Sequence, residues 1–239
     1  MLLSEELTLR LYSTVETFVK DTDKVVIAFS GGVDSSILAK ICKDLGKQVY
    51  LVTIGFPGSH DLLFSKTISR LLGLSSTHIA YEIVQDDLNA IIRKVISTLG
   101  CNNLSHIENC VAFYLISKII NNNKLGNSFL TANGFDELFC GYDRYRSYYM
   151  RGKNFLLSYM KEKLVNEAHM MKEISMVIAE LDIKSIQPFL TELFIRFASD
   201  ISLEYKIKGP EDMLRKHILR EVALKIGVPM ESAYHPKKA

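Results

Sequence analysis

Short apolar runs alternate with amphipathic stretches over the first part of the chain. The runs are rich in β-branched residues and bounded by turn signals, which predicts buried strands. The amphipathic stretches repeat apolar residues at helical spacing, which predicts helices between the strands. The predicted strands are 24–29, 48–54, 78–81 and 127–132, and the predicted helices are 4–20, 33–45, 62–72, 86–99 and 109–121. Strands that alternate with helices indicate a three-layer α/β fold with a parallel sheet.

The remainder of the chain has a different pattern. After Tyr142 no comparable apolar strand is predicted, and helical periodicity dominates in 155–178, 193–197 and 211–226. The sequence contains no internal repeat and no low-complexity linker. We therefore predict an α/β domain over residues 1–150 and a helical extension over residues 151–239 that packs against it.

Composition and charge exclude several classes of protein. Of the 239 residues, 48% are hydrophobic and 23% are charged, which is typical of a globular protein with a large core. The net charge of +2 predicts no bulk attraction to nucleic acid or to an anionic membrane. No segment approaches the roughly 18 continuous apolar residues of a membrane-spanning helix. We expect a cytoplasmic protein.

The cysteines show neither a C-x-x-C pair nor the spacing of a zinc site. They are Cys42, Cys101, Cys110 and Cys140. In a chain able to build a large core, this arrangement favours reduced and mostly buried thiols.

The segment VVIAFSGGVDSS, residues 25–36, joins the first predicted strand to the following helix. Between a strand and a helix N-terminus, backbone N–H groups converge on one point and favour an anion. The glycines allow a phosphate to approach the backbone closely, and three serine hydroxyls add donors. The candidate nucleotide-binding residues of this turn are Ser30, Gly31, Gly32, Asp34, Ser35 and Ser36.

Asp34 has a place in an anion site if it holds a Mg²⁺ ion that bridges phosphates. The alternative is a tight turn in which Asp34 and Ser35 only cap the helix. The complete unit of strand, SGGxDSS turn and helix favours the nucleotide site.

This unit resembles the PP-loop of ATP pyrophosphatases, which cleave ATP between its α and β phosphates. A second segment, TANGFDELFCGYDRY at 131–145, is similar to the synthetase domain of asparagine synthetases through its D-E-L-F-x-G-Y core. Further similar segments are IGFPGSHDL at 54–62, IQPFL at 186–190, KHILRE at 216–221 and YHPKK at 234–238. The resemblance covers nearly the whole chain and implies the PP-loop α/β fold, with ATP and Mg²⁺ as cofactors.

The resemblance also implies roles for individual residues. Asp34 and Asp136 would hold Mg²⁺, and Lys237 would stabilise charge on the α-phosphate and on the departing pyrophosphate. These three are the candidate catalytic residues. The residues implied to lie beside the nucleotide outside the turn are Ala28, Ile54, Thr131 and Ala132. A core position alone also explains Ala28 and Ile54, and a solvated basic tail also explains Lys237.

Three positions depart from the pattern of asparagine synthetases. The acidic residue three positions before the D-E pair is Asn133, which cannot take up a proton at neutral pH. Glu108 stands where the loop before the helix at 109–121 usually carries an arginine for the substrate carboxylate. The R-x-P-F-L-D segment is IQPFLT at 186–191, without its charged residues. These departures concern the substrate acid and the amine and not the residues for ATP, so a carboxylate other than aspartate is an alternative substrate.

We expect an ATP-dependent carbon–nitrogen ligase that adenylates a small carboxylate, aspartate by resemblance, releases pyrophosphate and then forms an amide. The PP-loop is reached by residue 30 without a preceding glutaminase domain, so ammonia, another amine or a separate glutaminase subunit would supply the nitrogen. A homodimer is compatible with this reading. The alternatives are a different carboxylate, ring closure as in β-lactam synthetases, and a nucleotide-binding subunit that does not amidate. A tRNA-modifying enzyme is disfavoured because the chain lacks a basic stripe.

Overall fold

The apolar runs form a five-stranded parallel sheet in the computed structural model, which describes residues 2–100 and 103–236. The strands are β1 (Lys24–Ala28), β2 (Gln48–Gly55), β3 (His78–Glu82), β4 (Ser128–Leu130) and β5 (Lys184–Ile186). Their order is β3-β2-β1-β4-β5, and every neighbouring pair is parallel. The winding of the chain reverses between β1 and β4. In sheets of this kind, ligands bind outside the carboxyl ends of the strands at such a switch point.

Helices cover both faces of the sheet. Within the described ranges they are α1 (Leu3–Val19), α2 (Val33–Asp44), α3 (His60–Leu71), α4 (Gln85–Leu99), α5 (Leu104–Asn122), α6 (Phe135–Leu138), α7 (Arg144–Tyr148), α8 (Lys153–Ile178), α9 (Glu192–Asp200), α10 (His217–Lys225) and α11 (Met230–Ala233). Short 3-10 helices lie at Ser75–Thr77, Tyr149–Arg151, Ala179–Leu181, Pro188–Leu190 and Leu203–Tyr205.

The central strand shows how the layers form. Side chains alternate between the two faces of a strand, so Val25 and Ile27 of β1 point to one face and Val26 to the other. Val25 and Ile27 pack in a core with residues of α1, α2, α9 and α10. Val26 packs in a second core with residues of α4, α5 and α8. The predicted three-layer α/β fold is confirmed.

A third and smaller apolar cluster lies away from the sheet and is rich in aromatic side chains. Its buried members are Cys140, Tyr145, Leu156, Tyr159, Met160, Leu203 and Ile207. They come from the segment after β4, from α8 and from the chain after α9. This cluster fastens the start of α8 to the loop that follows α6.

The prediction that no strand follows Tyr142 is wrong. Lys184–Ile186 forms β5, which pairs with β4 at the edge of the sheet. The strand has only three residues and begins with an exposed lysine, so it produces no apolar run.

Two predicted helix boundaries also differ from the structure. The helix expected at 109–121 begins at Leu104, because the Asn103 side chain accepts a hydrogen bond from the His106 N–H at 3.5 Å and caps the helix. The helix expected at 211–226 begins only at His217. The chain before it is a loop in which Arg215 and Lys216 adopt left-handed backbone conformations, each with φ +52°.

Cys42 and Cys140 are buried free thiols and Cys110 is also buried, whereas Cys101 lies outside the described residues. Burial raises the pKa of Cys42 and of Cys140 to about 12, so neither is a thiolate at neutral pH. In the described part of the chain, no helix combines the length and the apolar character needed to cross a membrane. The cytoplasmic location stays a prediction.

Candidate active site

The turn after β1 is held in shape by its own hydroxyl groups. Gly31 has φ +80°, and a Cβ there would lie 3.1 Å from atoms of α3, so a larger residue does not fit. Two hydroxyls donate to the Gly31 carbonyl oxygen, from Ser36 at 3.1 Å and from Ser232 at 2.7 Å. The Ser35 hydroxyl donates to the Gly32 carbonyl oxygen at 3.2 Å. Gly31 and Ser36 therefore shape the turn, and neither lines the cavity in front of it.

That cavity has a volume of about 440 Å³ and lies outside the carboxyl ends of β1, β2 and β4, at the switch point of the sheet. The sequence-predicted residues that line it are Ala28, Ser30, Gly32, Asp34, Ser35, Ile54, Thr131, Ala132 and Asp136. At one end the lining is apolar and includes Val52, Phe113 and Ile116; at the other end it is charged and includes Lys216 and Arg220. Size and mixed lining suit a ligand with an apolar body and a charged tail.

The side chain of Lys216 joins the two acids that the sequence analysis selected as metal ligands. Its Nζ lies 2.5 Å from Asp34 Oδ2 and 2.7 Å from Asp136 Oδ1. Lys216 is 2% exposed. Burial disfavours the ammonium form, but Asp136 and Asp34 outweigh it and raise the pKa of Lys216 above its usual range. The structure thus brings the two acids to one point, around a lysine that sequence analysis missed.

The same carboxylates fit a magnesium ion that also contacts phosphate. Asp34 Oδ1 is buried and accepts no hydrogen bond from the described residues. Within the described ranges, no group of three or more His, Cys, Asp or Glu side chains could hold a metal ion. Mg²⁺ is commonly bound by one or two carboxylates, with substrate phosphates and water completing its shell. Asp34 and Asp136 provide that number of carboxylates.

Gly141 is required by the close approach of this ion pair. A Cβ at Gly141 would lie 1.8 Å from Asp136 Oδ1 and 2.3 Å from Lys216 Cε. The Gly141 N–H also donates to the Asp136 carbonyl oxygen at 2.8 Å. The lack of space for a Cβ therefore explains why the D-E-L-F-x-G-Y segment has a glycine at this position.

The loop that presents Lys216 is organised by one carboxylate. Asp212 accepts hydrogen bonds from the Arg215 N–H at 3.0 Å, the Leu214 N–H at 3.2 Å and the His217 ring at 2.7 Å. Burial opposes the charged form, but the hydrogen bonds from the Arg215 N–H, the Lys208 N–H and His217 outweigh it and hold the pKa of Asp212 below its usual range. They compensate for the strain of two consecutive left-handed residues, Arg215 and Lys216. Sequence analysis missed Lys216 because helical periodicity continues through this loop. The Gly209–Pro210 pair is a turn signal that could have indicated the loop.

Arg220 fastens the C-terminal segment against the turn after β1. Its Nη1 donates to the carbonyl oxygens of Ala233 at 2.5 Å and His235 at 3.2 Å. The His235 ring stacks on the Phe64 ring, with centroids 4.3 Å apart. Lys237, the predicted phosphate ligand, lies outside the described residues.

Asn133 lines the cavity and contacts a buried acid from another helix. Its Nδ2 donates to Glu167 Oε1 at 2.6 Å, and its Oδ1 accepts a hydrogen bond from the Thr131 hydroxyl. Glu167 lies on α8 and is 3% exposed. Asn133 stands at the position where the resemblance implied an acid, and its amide is hydrogen-bonded to the buried acid Glu167. Glu108 is exposed on α5 and does not line the cavity.

Glu137, the second acid of the D-E pair, is buried and accepts a hydrogen bond from the Tyr142 hydroxyl. Burial, together with the nearby charges of Glu167 and Asp136, raises the pKa of Glu137 to about 8. Glu137 is therefore protonated at neutral pH, which reduces the negative charge behind the cavity.

Glu137→Gln should remove a pH dependence of stability. The pKa of Glu137 rises from an ordinary 4.5 to about 8 on folding, so the folded state binds more protons between these values. The contribution of Glu137 to the free energy of unfolding therefore decreases progressively as the pH rises through this window. Thermal unfolding from about pH 5 to about pH 9 should show a melting-temperature difference that grows in favour of E137Q. The exposed Glu82→Gln is the control; parallel curves for wild type and E137Q would contradict the assignment.

Gly141→Ala should separate Lys216 from Asp136, because the new methyl group overlaps both side chains. We expect a loss of about 2 kcal/mol in the free energy of unfolding, typical of overpacking, and weaker ATP binding by calorimetry. Gly209→Ala is the matched control, since a Cβ there has no atom within 4 Å. Equal stability and equal ATP affinity in the two variants would refute the role of Gly141.

Comparison with known proteins places this site in a family. The sequence pattern of the asparagine synthase family matches residues 6–184. A relative from Methanocaldococcus jannaschii, named as a glutamine-hydrolysing asparagine synthetase, is 29% identical over 96% of this chain and 47% of its own length. The human glutamine-hydrolysing asparagine synthetase is 28% identical over 88% of this chain and 38% of its own length.

The chain thus spans less than half the length of these curated relatives. Among solved structures, an NH3-dependent NAD synthetase from Campylobacter jejuni aligns with a TM-score of 0.45 and 24% identity, over 59% of this chain and 61% of that chain. The family match includes the SGGxDSS turn, the D-E-L-F-x-G-Y segment and the strands β1 to β4. The chain belongs to the asparagine synthase family.

Proposed function

We propose that this chain is an ATP-dependent carbon–nitrogen ligase that forms AMP. A substrate carboxylate attacks the α-phosphorus of ATP and releases pyrophosphate, and ammonia or another amine then displaces AMP to give an amide. The proposal is carried by one observation, the convergence of Asp34, Asp136 and Lys216 in the cavity at the switch point of the sheet. Aspartate is the default acid because of the family, and a separate glutaminase subunit would be one source of ammonia.

The cavity offers each part of ATP a suitable surface. The apolar end, with Ala28 and Ile54, would contact adenine, and Thr131 and Ala132 would lie beside the nucleotide. The N-terminus of α2 directs its N–H groups and its dipole toward the charged end, which favours the phosphates. Asp34 and Asp136 would hold Mg²⁺, which would supply positive charge to neutralise the phosphates.

Lys216 supplies a fixed positive charge beside the phosphates. Because two carboxylates hold its ammonium in place, it needs no reorganisation when negative charge develops on the α-phosphate and on pyrophosphate. Arg220 lines the same end of the cavity and adds a second cation. Lys237 follows the segment that Arg220 fastens, and we assign it a contact with the α-phosphate.

The amide-forming step requires a group that favours positive charge on the incoming nitrogen. The nitrogen lone pair forms the C–N bond, the C–O bond to phosphate breaks, and AMP leaves with the electron pair of that bond. The nitrogen gives up one proton to the departing phosphate or to water. Asn133 lines the cavity but cannot take up a proton. We assign Glu167 the role of orienting the Asn133 amide and of stabilising the charge that develops on the nitrogen.

Incubation with ATP, Mg²⁺, ammonium and candidate acids, aspartate first, should produce AMP and pyrophosphate in equal amounts. Lys216→Met should lower this rate at least about a hundredfold, since it removes a preorganised charge from a water-poor site. Lys172→Met, an exposed position on α8, is the matched control and should retain the rate. Production of ADP and phosphate would contradict the proposal. Nucleotide binding by calorimetry without AMP formation would favour the non-amidating subunit, the alternative that Asn133 supports.

Exchange of the Asn133–Glu167 pair tests the second step. Asn133→Glu places a second carboxylate against Glu167 and should lower amide formation about tenfold or more, the effect of roughly 1.4 kcal/mol in the barrier. The double variant N133E/E167Q restores a hydrogen bond with donor and acceptor reversed and should recover most of the loss. Rates with saturating ammonium provide the measurement, and a double variant no faster than N133E would rule out the pairing.

A further inference from the structure

A second cavity lies beside the first and has a different lining. Its volume is about 280 Å³, and it is lined by Gly141, Tyr142, Asp143, Arg144, Tyr159, Lys163 and Arg215. None of these residues lines the nucleotide cavity. Arg215 belongs to the second cavity, and Lys216, the next residue, belongs to the first. We propose that the second cavity binds a small organic carboxylate, independently of the nucleotide.

Tyr159 and Arg215, which line this cavity, each have a donor without an acceptor among the described residues. Tyr159 is 7% exposed, and its hydroxyl is buried with no hydrogen-bond partner. Arg215 is 1% exposed; its Nε donates to the Gly141 carbonyl oxygen at 3.2 Å and its Nη1 donates to Asp143 Oδ1 at 3.3 Å. None of the described residues accepts a hydrogen bond from Arg215 Nη2. A buried donor without a partner, such as the Tyr159 hydroxyl, costs free energy, which an oxyanion that accepts from it and pairs with Arg215 would recover.

The orientation of the tyrosine is fixed by its aromatic neighbours. The Tyr159 ring makes edge contacts with Tyr145 at 5.2 Å and with Tyr148 at 5.0 Å between centroids. Lys163 Nζ lies 5.4 Å from the centroid of the Tyr159 ring. The hydroxyl is therefore held in a packed cluster, where the ring cannot turn to find another partner without disturbing its neighbours.

The charges of the lining favour an anion. The cationic side chains are Arg144, Lys163 and Arg215, and the one carboxylate among the lining residues is Asp143. Asp143 also accepts from Arg146 Nη1 at 2.7 Å, so its charge is shared with a cation outside the cavity. An anionic occupant would balance the excess of positive charge.

A carboxylate attached to an apolar group fits this lining better than a bare inorganic anion. The rings of Tyr142 and Tyr159 provide apolar surface, and the third apolar cluster lies behind them. A guanidinium group such as that of Arg215 pairs well with a carboxylate through charge-assisted hydrogen bonds. The volume suits an acid of amino-acid size.

Calorimetric titration of the whole chain tests the proposal without requiring turnover. The probes are benzoate and succinate, with inorganic phosphate as a separate arm and sodium chloride at matched ionic strength as the blank. We expect one-to-one binding of at least one carboxylate, both in the absence and in the presence of saturating ATP. This binding result does not depend on whether the chain is a ligase, so the two proposals can fail separately.

Variants locate the bound acid. Tyr159→Phe should weaken carboxylate binding about fivefold by removing one donor. The double variant Arg144→Met and Lys163→Met should weaken it about tenfold by removing two charges near the ligand. Tyr145→Phe is the matched control, because the Tyr145 hydroxyl donates to the Glu137 carbonyl oxygen at 3.4 Å and does not line the cavity. This variant should keep the wild-type affinity.

Three results would overturn the proposal. The first is the absence of carboxylate binding to the wild-type chain, which would mean that water alone satisfies the two donors. The second is binding of phosphate without any binding of carboxylate. The third is carboxylate binding that ATP abolishes, or that neither Tyr159→Phe nor the double methionine variant weakens, because the acid would then occupy the nucleotide cavity.

Discussion

The buried ammonium of Lys216 connects three distant parts of this fold. It contacts Asp34 at the start of α2 and Asp136 in the segment after β4, and it precedes α10 in the chain. An ammonium taken out of water costs several kcal/mol unless it is paired and hydrogen-bonded. The loop before α10 can bury its lysine only because both carboxylates are already at the edge of the sheet. The contact that fastens this loop therefore also builds the charged end of the cavity.

The residues around this contact show what its geometry requires. Gly141 has no side chain because Asp136 Oδ1 and Lys216 Cε occupy the space of a Cβ. The left-handed conformations of Arg215 and Lys216 store strain, which the hydrogen bonds to Asp212 compensate. A strained backbone conformation of this kind persists only where the surrounding contacts hold the residues in it. Its presence beside the cavity is consistent with a preorganised charge, the property that stabilisation of a developing anion requires.

Patterns within short segments of the sequence predicted those structural features that are formed by residues close together in the chain. The turn at 30–36 was found because the strand, glycines and helix start lie together in the sequence. β5 was missed because three residues beginning with a lysine give no apolar run. Lys216 was missed because its position depends on a left-handed loop and on acids far away in sequence. Glu167 was missed because an acid in an amphipathic helix usually lies on its solvated face, whereas α8 buries this one.

The balance of charge around the cavity connects these features to chemistry. Asp34, Asp136 and Glu167 oppose the two cations Lys216 and Arg220, while the raised pKa of Glu137 keeps that acid neutral near pH 7. Asp34 and Asp136 already balance the charges of Lys216 and Arg220, so this set offers a bare triphosphate no excess of positive charge, and its magnesium complex would be favoured. In the proposed reaction, Glu167 would act through Asn133, on the side where an amine nitrogen would acquire positive charge. The loss of an acid at position 133 therefore does not remove negative charge from that side, because α8 supplies it from behind the amide.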